Sequence, residues 1–114
     1  MGEENDKPII WLHGEIKTPP FTQEARTEAG FLLRKLQQGE NLSLPHSRPI
    51  PNIGPHCHEL RVRDVDKNWR FIYRIDQDAI VIVEIFNKTT RTISDDIINA
   101  CKKRLSKYDR DLEV

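Results

Sequence analysis

Apolar residues recur along this chain with two periods. Pro8 precedes a short apolar run, Ile9-Ile10-Trp11-Leu12, which reads as a first strand ending near Gly14. Thr18-Pro19-Pro20 then reads as a helix entry, with Thr18 or Thr22 as N-cap and proline tolerated in the first turn. Phe21, Ala25, Ala29, Leu32, Leu33 and Leu36 follow at helical spacing and form one apolar stripe. Gly30 is a place where this helix could divide into two, and Gly39 is placed to be the C′ residue that stops it.

From residue 57 the period changes to two. Leu60 and Val62 alternate with Glu59, Arg61 and Arg63 in a strand over 57–63. A turn over 64–68 leads into a strand over 69–75, where Trp69, Phe71, Tyr73 and Ile75 alternate with Arg70, Ile72 and Arg74. After a tight turn at 76–78, residues 79–86 (AIVIVEIF) are apolar on both faces apart from Glu84, as in a central, doubly covered strand. Ser94 is placed to cap a last helix, with Asp95 and Asp96 in its first turn and Ile97, Cys101, Leu105 and Tyr108 as its stripe. The expected fold class is α+β. It has an N-terminal strand and a helix (or helical pair), an antiparallel three-strand meander and a C-terminal helix, with the helices on one side of the sheet. Residues 40–55, with four prolines and one glycine, read as a long connecting loop with extended pieces. One domain over 1–114 is expected, with 1–7 flexible.

Composition narrows the class. Charged residues are 32% and hydrophobic residues 37% of the chain, which suits a small soluble domain. No apolar run has the length of a membrane span, and the acidic start MGEENDKP lacks the apolar region of a secretory signal. A cytoplasmic protein is the expectation, with Cys57 and Cys101 as reduced, partly buried thiols. Net charge is zero but unevenly spread: residues 1–45 carry five Lys/Arg and seven Asp/Glu, residues 46–91 carry eight and six.

That excess clusters on one strand face. If the aromatic face is buried, Arg61, Arg63, Arg70 and Arg74 share the open face, and Lys88 and Arg91 follow the last strand at its rim. Like charges on neighbouring strands repel, so the arrangement calls for an anion or for acidic neighbours such as Glu59 and Glu84. Phosphate suits it, because guanidinium grips oxygens in pairs. A solvated, edge-protecting face is the plain alternative. Pro55-His56-Cys57-His58 has metal-ligand residue types, but no second ligand cluster follows, so Cys57 reads as core. Trp11 and Trp69 read as packing residues, and Lys102-Lys103-Arg104 as a solvated helix face.

The segments Ile53-Gly54-Pro55, His58-Glu59-Leu60-Arg61-Val62-Arg63-Asp64, Trp69-Arg70-Phe71-Ile72-Tyr73 and Val83-Glu84-Ile85-Phe86-Asn87-Lys88 resemble the RelE/ParE superfamily of small toxins. Within it they are most similar to the phage-derived HigB-like branch, over about residues 50–105. The resemblance implies a RelE-like microbial-ribonuclease architecture and a type II toxin: a ribosome-dependent mRNA endoribonuclease that cuts without metal or other cofactor. It also implies a helix-turn-helix, HigA-like antitoxin as partner. It places Arg61, Arg63, Arg70 and Lys88 at catalytic positions, with Arg74, Arg91, His56 and His58 as RNA-binding residues. Thr89 stands where the pattern has a second lysine, and Ser94, Asp95 and Asp96 stand where some relatives carry a tyrosine. Since arginine stays protonated, His46, His56 and His58 are the candidates for a general base. The alternative is a non-enzymatic ParE-like inhibitor, or a degenerate toxin that only binds its antitoxin.

Overall fold

A strand that is apolar on both faces needs cover on both faces, and the structure is arranged around one. In the computed structural model, which describes residues 6–12 and 21–113, strand β5 (Ile80–Asn87) lies inside a five-stranded sheet. The other strands are β1 (Ile9–Trp11), β2 (Ser47–Pro49), β3 (Cys57–Asp64) and β4 (Lys67–Ile75), and the sheet order is β1-β5-β4-β3-β2. β1 runs parallel to β5, and the other pairs are antiparallel. Helix α1 (Gln23–Gln37) precedes β2, and α2 (Asp95–Leu112) closes the chain. The element order matches the RelE-like α+β architecture expected from the sequence.

One expectation is corrected and two are made definite. The helices do not share one side: α1 buries Ala25, Ala29, Leu32, Leu33 and Leu36 against Leu60, Val62, Phe71, Tyr73 and Ile82. α2 buries Cys101 and Leu105 against Cys57, Ile72, Val81 and Val83 on the other face. The two-sided apolar pattern of β5 is the reason, since each fully buried aliphatic side chain is worth about 1.5–3 kcal/mol. α1 is a single continuous helix through Gly30, whose exposed position tolerates the residue without a break. The loop of residues 40–55 also contains a strand: Ser47, Arg48 and Pro49 pair with Leu60, Glu59 and His58 as the edge strand β2. Proline suits such an edge, where its missing N–H costs no ladder bond.

The helix ends are built as their residues suggest. Thr22 Oγ1 accepts from Ala25 N–H, while Thr22 N–H and Oγ1 both donate to the Asp64 carboxylate at 3.0 and 2.8 Å. The start of α1 is thereby pinned to the end of β3, and these bonds, the Thr22 N–H first, hold the Asp64 carboxyl below its ordinary pKa. At the other end Gly39 takes φ +88°, with Gly39 N–H donating to Leu36 O and Glu40 N–H to Lys35 O, a Schellman stop. Ser94 caps α2 through Ile97 N–H. The expected strand end at Gly14 and the helix entry at Thr18-Pro19-Pro20 lie outside the described residues, as do residues 1–5 of the expected flexible start.

Trp69 is core, packed edge-on against Phe21 at 4.9 Å between ring centroids. Trp11 is not: on the edge strand β1 it is 42% exposed. Between Ile72 and Tyr73 the β4–β5 register shifts, so that Ile72 faces Glu84 and Tyr73 faces Ile82. Val83 is the extra residue of this bulge and packs under α2.

Candidate functional site: an arginine cluster on the second sheet face

α2 covers only part of its face of the sheet. Its Arg104 donates to Val83 O and to Glu84 Oε2, both at 2.9 Å, which fixes the helix over the bulge. Beyond that cover, Arg61 on β3 stands directly across from Arg70 on β4, and Arg48 on β2 directly across from Glu59 on β3. Strand alternation puts Glu59, Arg61 and Arg63 on this face, because Leu60 and Val62 are taken by the α1 core.

Glu59 is the centre of the cluster. It is fully buried, and its Oε1 lies 3.3 Å from Arg48 Nε, 3.3 Å from Arg61 Nε and 3.4 Å from Arg70 Nε. Only the Arg48 contact has hydrogen-bond geometry, and Glu59 Oε2 has no hydrogen-bond partner. A buried carboxylate so loosely engaged is costly unless surrounded by cations, and three guanidinium groups supply them. Arg70 donates one further bond, from Nη1 to Trp69 O at 3.2 Å. The other η donors of Arg48, Arg61 and Arg70 have no acceptor among the described residues.

The contrast with Arg74, two residues past Ile72 on the same strand face, is sharp. Arg74 donates to both oxygens of Asp76 at 2.6 and 3.0 Å and to both oxygens of Asp109, on α2, at 3.0 and 2.7 Å. These bonds raise its pKa above the ordinary arginine value, the Asp109 bonds first. They also hold the Asp109 carboxyl below its ordinary value. Arg74 is saturated by acceptors inside the protein, whereas the Glu59 arginines retain donors for a ligand.

Lys88 completes the cationic end of the face. Its N–H donates to Asn68 O just after β5. Its ammonium is lowered in pKa, by burial first; Glu59 opposes this, and Arg70, Arg48 and Arg61 add to it. Arg70 is likewise lowered, by burial first, then with Glu59 opposing and Arg61 and Arg48 adding. A cleft of about 350 Å³ is lined by Arg61, Arg63, Arg70, Asn68, His46 and Glu28, while Lys88 lines a smaller cleft of about 160 Å³ after β5.

The predicted site residues are thus divided. Arg61, Arg63, Arg70 and Lys88 come together. Arg74 does not join them; it lines a separate cleft of about 740 Å³ with His56, Lys7 and Asp109. His56 sits there at φ 62°, a left-handed backbone. His58 projects to the opposite sheet face, stacked on Tyr73 at 5.4 Å, and burial, then the charge of His56, lowers its pKa. Arg91 is exposed beyond β5. Of the three histidines weighed as a base, His46 is the one on the wall of the arginine cleft. Arg48 and Glu28 were not foreseen. Arg48 had a faint signal, a charged residue in a proline-bounded extended segment, but its pairing with Glu59 is a long-range fact. Glu28 reaches the cleft from the rim of α1, where its sequence position looks like ordinary solvated helix.

A family model described as phage derived protein Gp49-like (DUF891) matches residues 20–106, and the chain belongs to that family, a RelE-type, toxin-like one. No curated protein and no solved structure matches the chain.

Proposed function

We propose that this member of the phage-derived Gp49-like family is the toxin of a type II toxin–antitoxin pair, of HigB-like kind, and that it cleaves mRNA on the ribosome without metal. The observation that carries this reading is the gathering of Arg61, Arg63 and Arg70 at one cleft, with Arg48 and Lys88 beside them around the same buried Glu59, and guanidinium donors left over. Family membership supports the toxin part.

In the proposed reaction the 2′-oxygen of one ribose attacks the adjacent phosphorus. The bond from phosphorus to the 5′-oxygen of the next nucleotide breaks, leaving a 2′,3′-cyclic phosphate and a free 5′-hydroxyl. Arg61 and Arg70 take up the charge that develops on the non-bridging oxygens, and Arg63 holds the strand at the outer edge. His46 is the cleft side chain able to accept the 2′-hydroxyl proton. Lys88, whose ammonium releases its proton more readily than an ordinary lysine, is suited to supply one to the departing 5′-oxygen. A helix-turn-helix antitoxin would hold the toxin inactive in the cytoplasm.

The test is inducible expression in a bacterial host, with growth and mRNA 5′ ends followed together for wild type, Arg70→Ala and Arg63→Ala. Growth arrest with new cuts inside translated codons is expected, reduced about 10²–10³-fold by Arg70→Ala. Arg63 is exposed and holds no ion pair among the described residues, so its variant separates loss of function from loss of fold. Arrest without cuts would overturn the nuclease reading in favour of a ParE-like inhibitor. No arrest would leave a module that only binds its antitoxin.

A further inference from the structure

We infer that Arg48 is a third guanidinium of the phosphate clamp and that Glu59 is a positioning residue, which holds the Nε edges of Arg48, Arg61 and Arg70 so that their outer donors converge on one phosphodiester. The inference rests on the phosphate-gripping part of the reading above and extends it to two residues that reading does not require.

The argument starts from geometry. Three Nε atoms from three adjacent strands lie within 3.4 Å of a single carboxylate oxygen. Their guanidinium groups are therefore neighbours even though Arg48 and Arg70 are two strands apart. Each touches Glu59 most closely through Nε, the inner corner of the guanidinium fork. A network built for stability would look like Arg74, whose Nε, Nη1 and Nη2 all make short bonds, 2.6–3.0 Å, to two carboxylates. Here the distances are 3.3–3.4 Å, one contact of three has hydrogen-bond geometry, and Glu59 Oε2 is buried without a partner. The loose engagement of the guanidinium groups with Glu59 leaves their η donors to be completed by an anion on the outer side, which they can grip in pairs.

Exposure gives a second, independent ground. The Arg48 side chain is 40% exposed, Arg61 31% and Arg70 12%, so the three form a graded wall from the sheet edge inward. Arg48 is the outermost and needs no rearrangement to reach a polyanion lying over β2 and β3. Glu59 lies beneath all three with no exposed surface, so it cannot repel the ligand by direct contact. Its charge offsets the mutual repulsion of the cations and leaves their directions fixed, which is preorganisation rather than attraction.

The experiment uses the full-length ¹⁵N-labelled protein and inorganic phosphate, following the arginine Nε–H resonances, assigned with Arg→Lys variants. The Arg48, Arg61 and Arg70 resonances should move along one saturation curve while Arg74 stays fixed. Arg48→Ala should weaken phosphate binding about tenfold. In E59Q the three resonances should cease to saturate together and affinity should fall. Saturation of Arg61 and Arg70 without Arg48 would overturn the role of Arg48. Tighter phosphate binding in E59Q with one common curve would make Glu59 a mere electrostatic brake and overturn its positioning role. Arg48→Lys, which keeps the charge at an edge position, substitutes if Arg48→Ala unfolds, and should still lose the paired grip. A second arm titrates a labelled single-stranded RNA through a salt series. Arg48→Ala should lower the slope of log affinity against log salt by about 0.7, the value of one phosphate contact. An unchanged slope would overturn the contact. Phosphate moving all three arginines in a protein that ignores RNA would uphold the clamp and overturn the RNA reading.

Discussion

Arg74→Ala separates the two kinds of arginine on this sheet face. The residue was expected from sequence to touch RNA, and the structure has it saturated by Asp76 and Asp109. Hydrogen bonds to charged groups are worth about 1.5–3 kcal/mol when poorly solvated. The Asp76 side chain is 19% exposed and takes two of these bonds, so one increment of that size applies to the pair. The Asp109 side chain is 49% exposed, and water replaces most of its loss, leaving about 0–1 kcal/mol. The expected destabilisation is therefore about 1.5–4 kcal/mol, felt where α2 docks on β4. For a chain of this length that is a fall in Tm of about 5–20 °C. Calorimetry gives the first number, and the salt slope of RNA binding gives the second, which should not change. The penalty also has a pH signature. The folded-state pKa of Asp109 lies below its ordinary value of 3.8, so its contribution is complete above that pH. It is lost as pH falls through the depressed value, so the Tm gap between wild type and variant should then narrow by the Asp109 share alone. An unchanged Tm combined with a reduced salt slope would refute the division: Arg74 would be a ligand residue held only incidentally by the two aspartates.

Three further outcomes follow from the same contacts. Arg63→Ala should reduce RNA binding and lower the salt slope by about 0.7, with stability within about 0.5 kcal/mol of wild type; a large loss of Tm would show a structural role. Tyr73→Phe removes the buried 2.6 Å bond to Ser47 Oγ, leaves that hydroxyl without a partner, and should cost about 1–3 kcal/mol by urea unfolding. Cys101, its thiol pushed up to about 12 by burial first and then by Glu84, and Cys57, also raised by burial, should both resist a thiol-specific reagent at mild alkaline pH until the protein is denatured; rapid labelling of either in the native protein would show that the α2 face opens.

What the sequence disclosed was local or periodic. The Schellman stop at Gly39, the Ser94 cap and the two-sided apolar run of β5 each depend on a handful of neighbouring residues, so their patterns survive in one dimension. The alternation of β3 and β4 placed Arg61 and Arg70 on one face because the aromatic residues opposite them had to be buried. The failures were all long-range. The side of the sheet taken by α2 follows from how the two faces of β5 are shared out. The role of Arg74 depended on Asp109, 35 positions further on. The alternation rule also put Arg74 on the right face while saying nothing about what lies over that face, and the answer there is α2. Edge strand β2 escaped because its three residues, Ser47-Arg48-Pro49, carry no apolar alternation and are recruited by the exposed edge of β3.

Zero net charge is compatible with a nucleic-acid ligand once position is considered. The described residues extend 42 × 38 × 27 Å, several times the roughly 8 Å over which charges are screened at physiological salt. Aspartates on α2 and at the β4–β5 turn therefore do not cancel the field at the Glu59 cluster. Locally, Arg48, Arg61, Arg63, Arg70 and Lys88 face one buried carboxylate and the rim residue Glu28. Burying the balancing negative charge beneath the cations, instead of beside them, keeps the outward face positive while relieving repulsion within it. Affinity should consequently follow the local set and fall steeply with salt, as it does for proteins of far higher net charge. Moving the negative charge outward, by Asn68→Asp at the cleft wall, should weaken RNA binding far more than Lys103→Glu on the solvated face of α2, although the second substitution changes the net charge twice as much. Equal losses from the two would mean that the whole-protein charge governs binding and that the cluster has no special part in it.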